Sequence, residues 1–282
     1  MAVSIDLDFL SRFYFCFDEP VPYMTKTGEV KIKPVSLRDS EVFLYSTSVL
    51  TIDKNSISNV DIIQMSYLQF ICKVLLENGD TKSFYERCLY NILNLCLGYQ
   101  RPYIKWKSEK SPVICEEGSG VEINAKEFDE IKSIIMHQNL PNYDDKYINP
   151  DLKKAMAEQD ELKNKDKESP SLERKMAIIT SHTGLPKREQ ELMTFRSHSL
   201  LFEEVVGEVE FSTTRPPLIA RGLVKDLDHW IFKKVKNKFD GYTKSIDSYT
   251  KSMGGSGNIR SSNAETGVGD SYIQQFNNFD KK

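Results

Sequence analysis

Two consecutive apolar runs at helical spacing, residues 58–79 and 82–98, place the strongest constraint on how this chain folds. In both runs apolar side chains recur every three or four residues, which is typical of amphipathic helices with a wide buried face. The second run ends at Gly98, and glycine commonly terminates helices because it adopts a left-handed backbone without strain. We therefore predict two helices that pack as antiparallel neighbours and bury their apolar stripes in the core. The apolar positions of that core are expected to be Val60, Ile63, Leu68, Ile71, Leu75, Phe84, Cys88, Leu89, Ile92, Leu93 and Cys96.

Strand patterns flank this helical pair on both sides. Residues 8–35 begin with the aromatic run FLSRFYFCF and alternate apolar with polar residues through GEVKIKPV, which predicts a short β element. Residues 102–123 contain three strand-like runs, PYIKW, SPVICEE and GVEIN, with Gly118 and Gly120 at the turn between the last two. The fold class is therefore predicted to be α+β, mostly helical, with a small N-terminal antiparallel sheet and helices packed on it.

Side chains that cap helices mark three predicted helix starts. Ser36 directly precedes an apolar pattern of helical period and is a suitable N-cap. Asn124, followed three residues later by Glu127, forms a capping-box pattern before the run AKEFDEIKSIIMHQN. Thr194 is a candidate cap where one helical run stops and another begins. The buried face of the helix after Asn124 is expected to consist of Phe128, Ile131, Ile134 and Ile135.

Composition divides the chain into four predicted parts. Residues 1–140 form an α+β domain, and residues 141–169 form a charged linker or helix in which 14 of 29 residues are Asp, Glu, Lys or Arg. Residues 170–251 form a helical module, in which the stretch FSTTRPPLIARG is expected to be an extended loop because it contains two prolines. Residues 252–282 are rich in Gly, Ser and Asn and are expected to be a flexible tail.

Bulk composition argues against several classes of protein. A net charge of −3 and a pI near 5.9 argue against a protein whose whole surface binds nucleic acid. Five cysteines, an odd number without any Cys-x-x-Cys pair, favour free thiols in a reducing compartment. The N-terminus lacks the basic start of a signal peptide, and no apolar run approaches the roughly 20 residues of a membrane-spanning helix. We therefore expect an intracellular protein without a membrane span.

The sequence contains no motif of the common catalytic sites. It has no Gly-x-x-x-x-Gly-Lys-Ser/Thr phosphate loop, no Gly-x-Gly-x-x-Gly after a strand and no Gly-x-Ser-x-Gly elbow. The four histidines show no spacing that would place two metal ligands on adjacent helical turns. They are His137, His182, His198 and His229. We therefore predict that the protein is not an enzyme, with no catalytic residue, metal site or cofactor.

The stretch TGLPKREQELMTFRSHSLLFEEV, residues 183–205, predicts a helix, a break and a second helix. Three roles are open for such a hairpin: it binds DNA through a recognition helix, it binds a partner protein, or it forms part of the hydrophobic core. DNA reading is disfavoured because Glu189 and Glu191 would lie beside the phosphate backbone. Residues 225–244 carry six lysines against three acidic residues on a helical pattern that includes Trp230 and Phe232. This segment packs on its own domain, or binds a partner, a membrane surface or nucleic acid.

Several stretches together resemble a known family. VKIKPVSLRDSEVFLYSTSVLTIDKNSI, then IIQMSYLQFI, then GLPKREQELMTFRSHSLLFEEV are similar to tail-assembly proteins of large tailed phages of low-GC bacteria, and to the C-terminal module of their tail-assembly chaperones. Met193, Thr194 and Phe195 occupy the break that precedes the docking helix in that module. The resemblance implies a non-catalytic role, in which tail components are handled in the host cytoplasm before the tube polymerises.

We accordingly predict a phage tail-assembly chaperone that binds tail components before they polymerise. Its partners would be proteins of the tail-tube or tape-measure type, and nucleic acid is disfavoured. Two alternatives remain open: a structural component of the virion tail or baseplate, and a nucleic-acid-binding regulator that uses residues 171–244. The candidate partner-binding residues are Phe195, Leu201, Phe202, Trp230, Phe232, Tyr272 and Phe276.

Overall fold

The computed structural model describes most of the chain up to residue 222. The described residues are 5–54, 57, 59–77, 81–144, 155, 156, 158, 159 and 170–222. Most of the predicted charged linker, the basic segment at 225–244 and the predicted tail at 252–282 therefore lie outside the described residues. The domain boundaries that we placed in these regions stay predictions.

Helices predominate in the described residues, and two small antiparallel sheets accompany them, so the predicted α+β, mostly helical class is confirmed. Helices α5 and α6 each continue into a wider π turn, at Ile71–Leu75 and Leu93–Leu97 respectively. Two short 3₁₀ turns lie at Phe15–Phe17 and Leu37–Asp39. The α-helices are α1 Leu7–Phe13, α2 Ser40–Ser46, α3 Ser48–Thr51, α4 Val60–Gln64, α5 Tyr67–Phe70, α6 Lys82–Ile92, α7 Ala125–Asn139, α8 Leu172–Thr183, α9 Lys187–Gln190 and α10 Phe195–Ala220.

The two sheets occupy the positions that the sequence predicts for β structure. The first is a hairpin of β1 (Val21–Met24) and β2 (Glu29–Ile32). The second has the order β3-β4-β5 and consists of β3 (Pro102–Trp106), β4 (Pro112–Glu116) and β5 (Glu122–Ile123). Between β4 and β5 the chain turns through Gly118 and Gly120, whose φ angles of 82° and 69° favour glycine.

The strand pattern at residues 8–35 is only partly right. The aromatic run FLSRFYFCF forms α1 and the 3₁₀ turn after it, and the strands begin only at Val21. Asp6 explains the difference because its carboxylate accepts the backbone N–H of Phe9 at 2.9 Å and caps the helix. Phe9 and Phe13 then lie one turn apart with ring centroids separated by 4.6 Å. Local capping therefore outweighs the alternation of aromatic residues.

The predicted continuous helix over 58–79 is wrong at its centre. The chain leaves helical geometry at Met65, and Ser66 caps a new helix by accepting the backbone N–H of Gln69 at 3.1 Å. The ammonium group of Lys54 donates to the carbonyl oxygens of Ile63 and Met65, which the break leaves without helical partners. As a result Val60 and Ile63, on α4, are exposed at 67% and 42%.

The remaining positions of the predicted core are confirmed. Leu68, Ile71 and Leu75 are buried in one hydrophobic cluster with five of the predicted positions on α6 and its π turn, and Phe84 is partly buried against it. The α7 face predicted from the capping box is buried in the same cluster. Asn124 and Glu127 form the predicted capping box, with three hydrogen bonds of 2.9 to 3.1 Å.

Gly98 ends the π turn after α6 with φ 74°, as its position predicts. Gly98→Ala is expected to lower the free energy of unfolding by about 1 to 2 kcal/mol, because an L side chain is strained in the left-handed region. The added Cβ would also lie 3.3 Å from the Lys33 ammonium group. Urea unfolding measures the loss. Gly98→Asn is the control and should lose less, because asparagine tolerates this backbone. Equal losses would contradict backbone strain as the cause.

All five cysteines are free thiols, and four of them are buried. Burial raises the pKa of the Cys72 thiol to about 12, so the thiol stays protonated near neutral pH. The buried cysteines therefore act as small apolar side chains. They are Cys72, Cys88, Cys96 and Cys115.

Residues 170–222 pack directly on residues 5–144. The N–H of Leu37 donates to the carbonyl of Met193, and the N–H of Phe195 donates to the carbonyl of Val35, both at 2.8 Å. These two bonds frame an antiparallel bridge between Ser36 and Thr194. The sequence left open whether its two halves touch, and this bridge shows that the described parts do.

The proline-containing stretch FSTTRPPLIARG, predicted to be a loop, is helical to Ala220. Pro216 and Pro217 lie inside α10 and cannot donate to the carbonyl groups four residues earlier. Those carbonyls belong to Ser212 and Thr213, which are exposed, so water can hydrate them. This exposure allows the helix to continue where the dipeptide predicted a break.

Within the parts of the chain that the structure describes, no helix combines the length and the apolar character needed to cross a membrane.

Candidate functional site

The hairpin of α8, α9 and α10 contains the stretch that the sequence singled out. Gly184, with φ 76°, ends α8, and α9 is a single turn of four residues. Thr194 caps α10 because its Oγ1 accepts the backbone N–H of Ser197 at 3.1 Å. The predicted order of helix, break and helix is thus confirmed, and so is the predicted cap.

A buried polar pair holds the three helices of this hairpin together. The side-chain amide of Gln190 donates to the carbonyl oxygens of Met176 and Leu185 and contacts the hydroxyl of Thr180, at 2.9 to 3.1 Å. Because these carbonyls only accept, the amide orientation is fixed, and Gln190 Oε1 faces His198 Nε2 at 3.2 Å. His198 Nε2 therefore carries the proton in the neutral ring. The hairpin is thus organised by a glutamine that the sequence reasoning did not single out.

His198 makes the stability of the hairpin depend on pH. Burial, and secondarily the charge of Lys175, lower the pKa of His198 below its ordinary value. Below that ordinary value the unfolded chain binds a proton that the folded chain resists, so acidification should reduce the free energy of unfolding. His198→Gln keeps a donor for Gln190 and should reduce the loss between pH 7.5 and pH 5.5. Urea unfolding of both proteins at the two pH values tests this. An unchanged pH dependence would rule out His198 as the source.

The first turn of α10 is attached to the N-terminal region by Asp18. Its carboxylate accepts hydrogen bonds from the Thr194 hydroxyl at 2.6 Å and from the Ser197 hydroxyl at 2.8 Å. The backbone of Asp18 is left-handed, with φ 57°, which directs the chain from the 3₁₀ turn toward β1. A carboxylate at a helix N-terminus is also stabilised by the helix dipole.

Arg196 makes the second attachment. Its Nη1 donates to the carbonyl of His137, near the end of α7, at 2.9 Å, and its guanidinium lies 5.7 Å from the Phe15 ring centroid. Burial lowers the pKa of Arg196, whereas the charge of Asp18 favours the protonated form. We call Asp18, Thr194, Arg196 and Ser197 the α10 anchor. It fixes α10 beside the end of α7.

A cleft of about 620 Å³ opens where α10 passes the end of α7. Its lining combines apolar side chains with polar and charged ones. The Lys175 ammonium lies 5.6 Å from the centroid of the Phe202 ring, and Asn142 Nδ2 donates to Glu203 Oε1 at 2.7 Å. We call this the α7–α10 cleft. Its lining residues are Leu140, Pro141, Asn142, Tyr143, Pro170, Lys175, Phe195, Ser199, Phe202 and Glu203.

Two of the seven predicted partner-binding residues lie in this cleft. Phe202 lines it and is partly buried. Phe195 lines it too, but also packs against the main hydrophobic cluster, so it supports the fold as well as the cleft. Leu201 is partly buried and does not line the cleft. The other four lie outside the described residues: Trp230, Phe232, Tyr272 and Phe276.

The sequence reasoning missed the α7 side of the cleft. Leu140, Pro141, Asn142 and Tyr143 fell at the boundary between the predicted domain and the predicted charged linker. An apolar Leu-Pro followed by a tyrosine in an otherwise charged segment is a weak signal that this part of the linker packs on something. The ring centroids of Tyr143 and His137 lie 5.0 Å apart, edge to face.

The described residues hold no group of three or more His, Cys, Asp or Glu side chains that could bind a metal ion. His182 pairs with Glu208 at 3.0 Å, and His198 pairs with Gln190. Comparisons of the chain with protein-family models, curated proteins and solved structures give no match.

Proposed function

We propose that this protein is a non-enzymatic assembly factor of the phage tail-assembly chaperone type. In this proposal the α7–α10 cleft binds an apolar segment of a tail-tube or tape-measure protein in the host cytoplasm, before that partner polymerises. One observation supports the proposal: Phe195 and Phe202, both predicted to bind a partner, line the same cleft among the described residues, and its lining is both apolar and polar. Protein interfaces likewise combine apolar and polar groups.

The cleft is suited to the side chains of a polypeptide. Its volume of about 620 Å³ lies within the range of roughly 300 to 1,000 Å³ that is usual for binding sites. Asn142, Lys175 and Glu203 add polar and charged side chains to its lining, next to which the polar backbone of a partner segment can lie. Covering an apolar segment in this way lowers the population of partner molecules that aggregate.

Co-expression tests the proposal. The full chain is produced together with the tail-tube protein or, separately, with the tape-measure protein of the same phage. The soluble fraction of one of these partners should rise severalfold compared with expression alone. No rise for either partner would contradict the proposal.

Purified virions separate the chaperone from the structural alternative. An assembly factor leaves before the particle is complete, so mass spectrometry of purified particles should not detect this protein. Its presence at the copy number of a tail protein would instead identify a virion component.

A further inference from the structure

The second half of α10 extends beyond the end of α8. The end of α8, at Thr183, lies beside Glu208 of α10, because His182 Nε2 pairs with Glu208 Oε2 at 3.0 Å. From there α10 continues to Ala220. Beyond Val205, no side chain of α10 that the structure describes is buried.

A helical segment of this kind is not stable by itself. An unpacked helix of roughly 12 residues is marginal in water. Residues 209–220 also include two prolines, which remove helical hydrogen bonds. A further element packed along this segment would supply the missing stabilisation.

The side of α10 on which such an element can pack follows from the first half of the helix. His198 and Val205 are buried and mark the packed face. Thr213, Pro216 and Ala220 continue this face, because they follow Val205 at the spacing of helical turns, and all three are exposed. We call Thr213, Pro216 and Ala220 the distal face of α10.

This part of α10 also has two carbonyl groups that lack their helical donors. Pro216 and Pro217 have no N–H, so the carbonyls of Ser212 and Thr213 accept no hydrogen bond from the residue four positions later. A donor on a covering segment can therefore bind there in place of water.

The chain directly after α10 has the pattern of an amphipathic helix. Gly222 follows the helix with φ 67°, a left-handed conformation that takes the chain out of α10. Residues 223–233 read LVKDLDHWIFK and lie outside the described residues. In this segment Leu223, Leu227 and Trp230 recur at helical spacing, which places them on one apolar stripe.

We propose that residues 223–233 form a short helix that returns along α10 and covers its distal face. Antiparallel helices joined by a loop of a few residues are a common arrangement. Trp230 follows Gly222 by as many residues as Thr214 precedes it, so at about 1.5 Å per residue the two come level. The indole N–H of Trp230 can then donate to the carbonyl of Ser212 or Thr213.

The covalent link favours this segment over every other occupant. Residues joined to α10 directly through Gly222 have a high effective concentration at the distal face. A more distant segment of the chain closes a longer loop, and a partner or second copy binds as a separate molecule, so each loses more entropy on docking. The contact is separate from the α7–α10 cleft and does not rest on the proposed function. It assigns Trp230 to α10 rather than to a partner.

Tryptophan fluorescence of the full chain tests whether Trp230 is covered. Trp106→Phe removes the only other tryptophan, so the emission comes from Trp230 alone. Acrylamide should quench Trp230 severalfold less in the folded protein than in urea, at every protein concentration, because the contact lies within one molecule. Equal quenching in both states would overturn the proposal. Protection that disappears on dilution would also overturn it, since it would show a contact between copies.

Thr213 and Thr214 provide matched substitutions on α10. Both are exposed, but Thr214 lies about 100° further around the helix, off the distal face. In the Trp106→Phe background, Thr213→Asp should make acrylamide quench Trp230 roughly twofold more effectively, because it places a carboxylate against the indole ring. Thr214→Asp should leave the quenching unchanged, and circular dichroism checks that both variants are folded. No effect of either substitution, or equal effects of both, would overturn the proposal, since Trp230 would then not pack on the distal face.

Discussion

Replacement of Asp18 by alanine is expected to lower the free energy of unfolding by about 3 kcal/mol. We expect no larger loss from any other single substitution outside the hydrophobic core of this chain. Two hydrogen bonds to the carboxylate disappear, and the hydroxyls of Thr194 and Ser197 lose their partner. Alanine is also strained at the left-handed backbone of this position. Arg196 additionally loses the nearby charge that favours its protonated form.

Urea unfolding measures this loss, with Asp18→Asn as the matched control. Asparagine tolerates the left-handed backbone and keeps one acceptor oxygen, so it should lose only about 1 to 1.5 kcal/mol. Limited proteolysis should also cleave the alanine variant faster near α10, because the anchor no longer fixes the start of that helix. A loss below about 0.5 kcal/mol for Asp18→Ala would show that the α10 anchor does not hold the helix in place.

Phe202→Ala is expected to weaken binding of the tail partner roughly tenfold or more. Truncating an aromatic side chain at the centre of an interface commonly has an effect of this size. Phe202 lines the α7–α10 cleft and is only partly buried, so the fold should survive the change. Isothermal titration with the partner that co-expression makes soluble provides the dissociation constant, and circular dichroism confirms that the variant is folded.

Val60→Ala is the matched control for this experiment. Val60 is an exposed apolar residue on α4 and does not line the cleft, so its truncation should leave the dissociation constant unchanged. If both variants bind as tightly as the unaltered protein, the partner contacts another surface. Equal weakening by both variants would also contradict a specific role for the cleft.

The features that the sequence predicts correctly are those decided by neighbouring residues. Asn124 and Thr194 each cap an α-helix through a bond to an N–H two or three residues away, and Ser36 caps in the same way the 3₁₀ turn that leads into α2. Gly98 ends the π turn after α6 by its own conformational freedom. Such bonds form wherever the local sequence allows them. They can therefore be predicted without knowing the rest of the fold.

Two elements were predicted wrongly, at residues 9–17 and 58–79. In each, a capping side chain competes with the apolar pattern, and periodicity alone does not show which one decides the structure. The aromatic run after Phe9 alternates like a strand, but the cap from Asp6 favours a helix. The run at 58–79 has helical period throughout, yet Ser66 starts a new helix inside it. In both cases one hydrogen bond that a short polar side chain accepts decides the backbone geometry. The spacing of the apolar residues gives no indication of that bond.

The candidate site could be predicted only on its α10 side. Phe195 and Phe202 were singled out from the hairpin pattern, whereas the α7 side fell in a predicted linker. The α10 anchor joins residues that are far apart in the sequence, since Asp18 and Thr194 are separated by 176 residues. A contact of this separation has no local signal in one sequence, because many other carboxylates could equally have taken that place.

Site-directed photo-crosslinking tests whether the partner binds in the α7–α10 cleft. A photoreactive phenylalanine analogue is placed at Asn142, an exposed residue that lines the α7–α10 cleft, or at Val60 as the control position. Each protein is co-expressed with the partner that it keeps soluble and is then irradiated. We expect a covalent adduct with the partner from position 142 and little or none from position 60. An adduct from position 60 alone, or equal adducts from both positions, would contradict binding in the cleft.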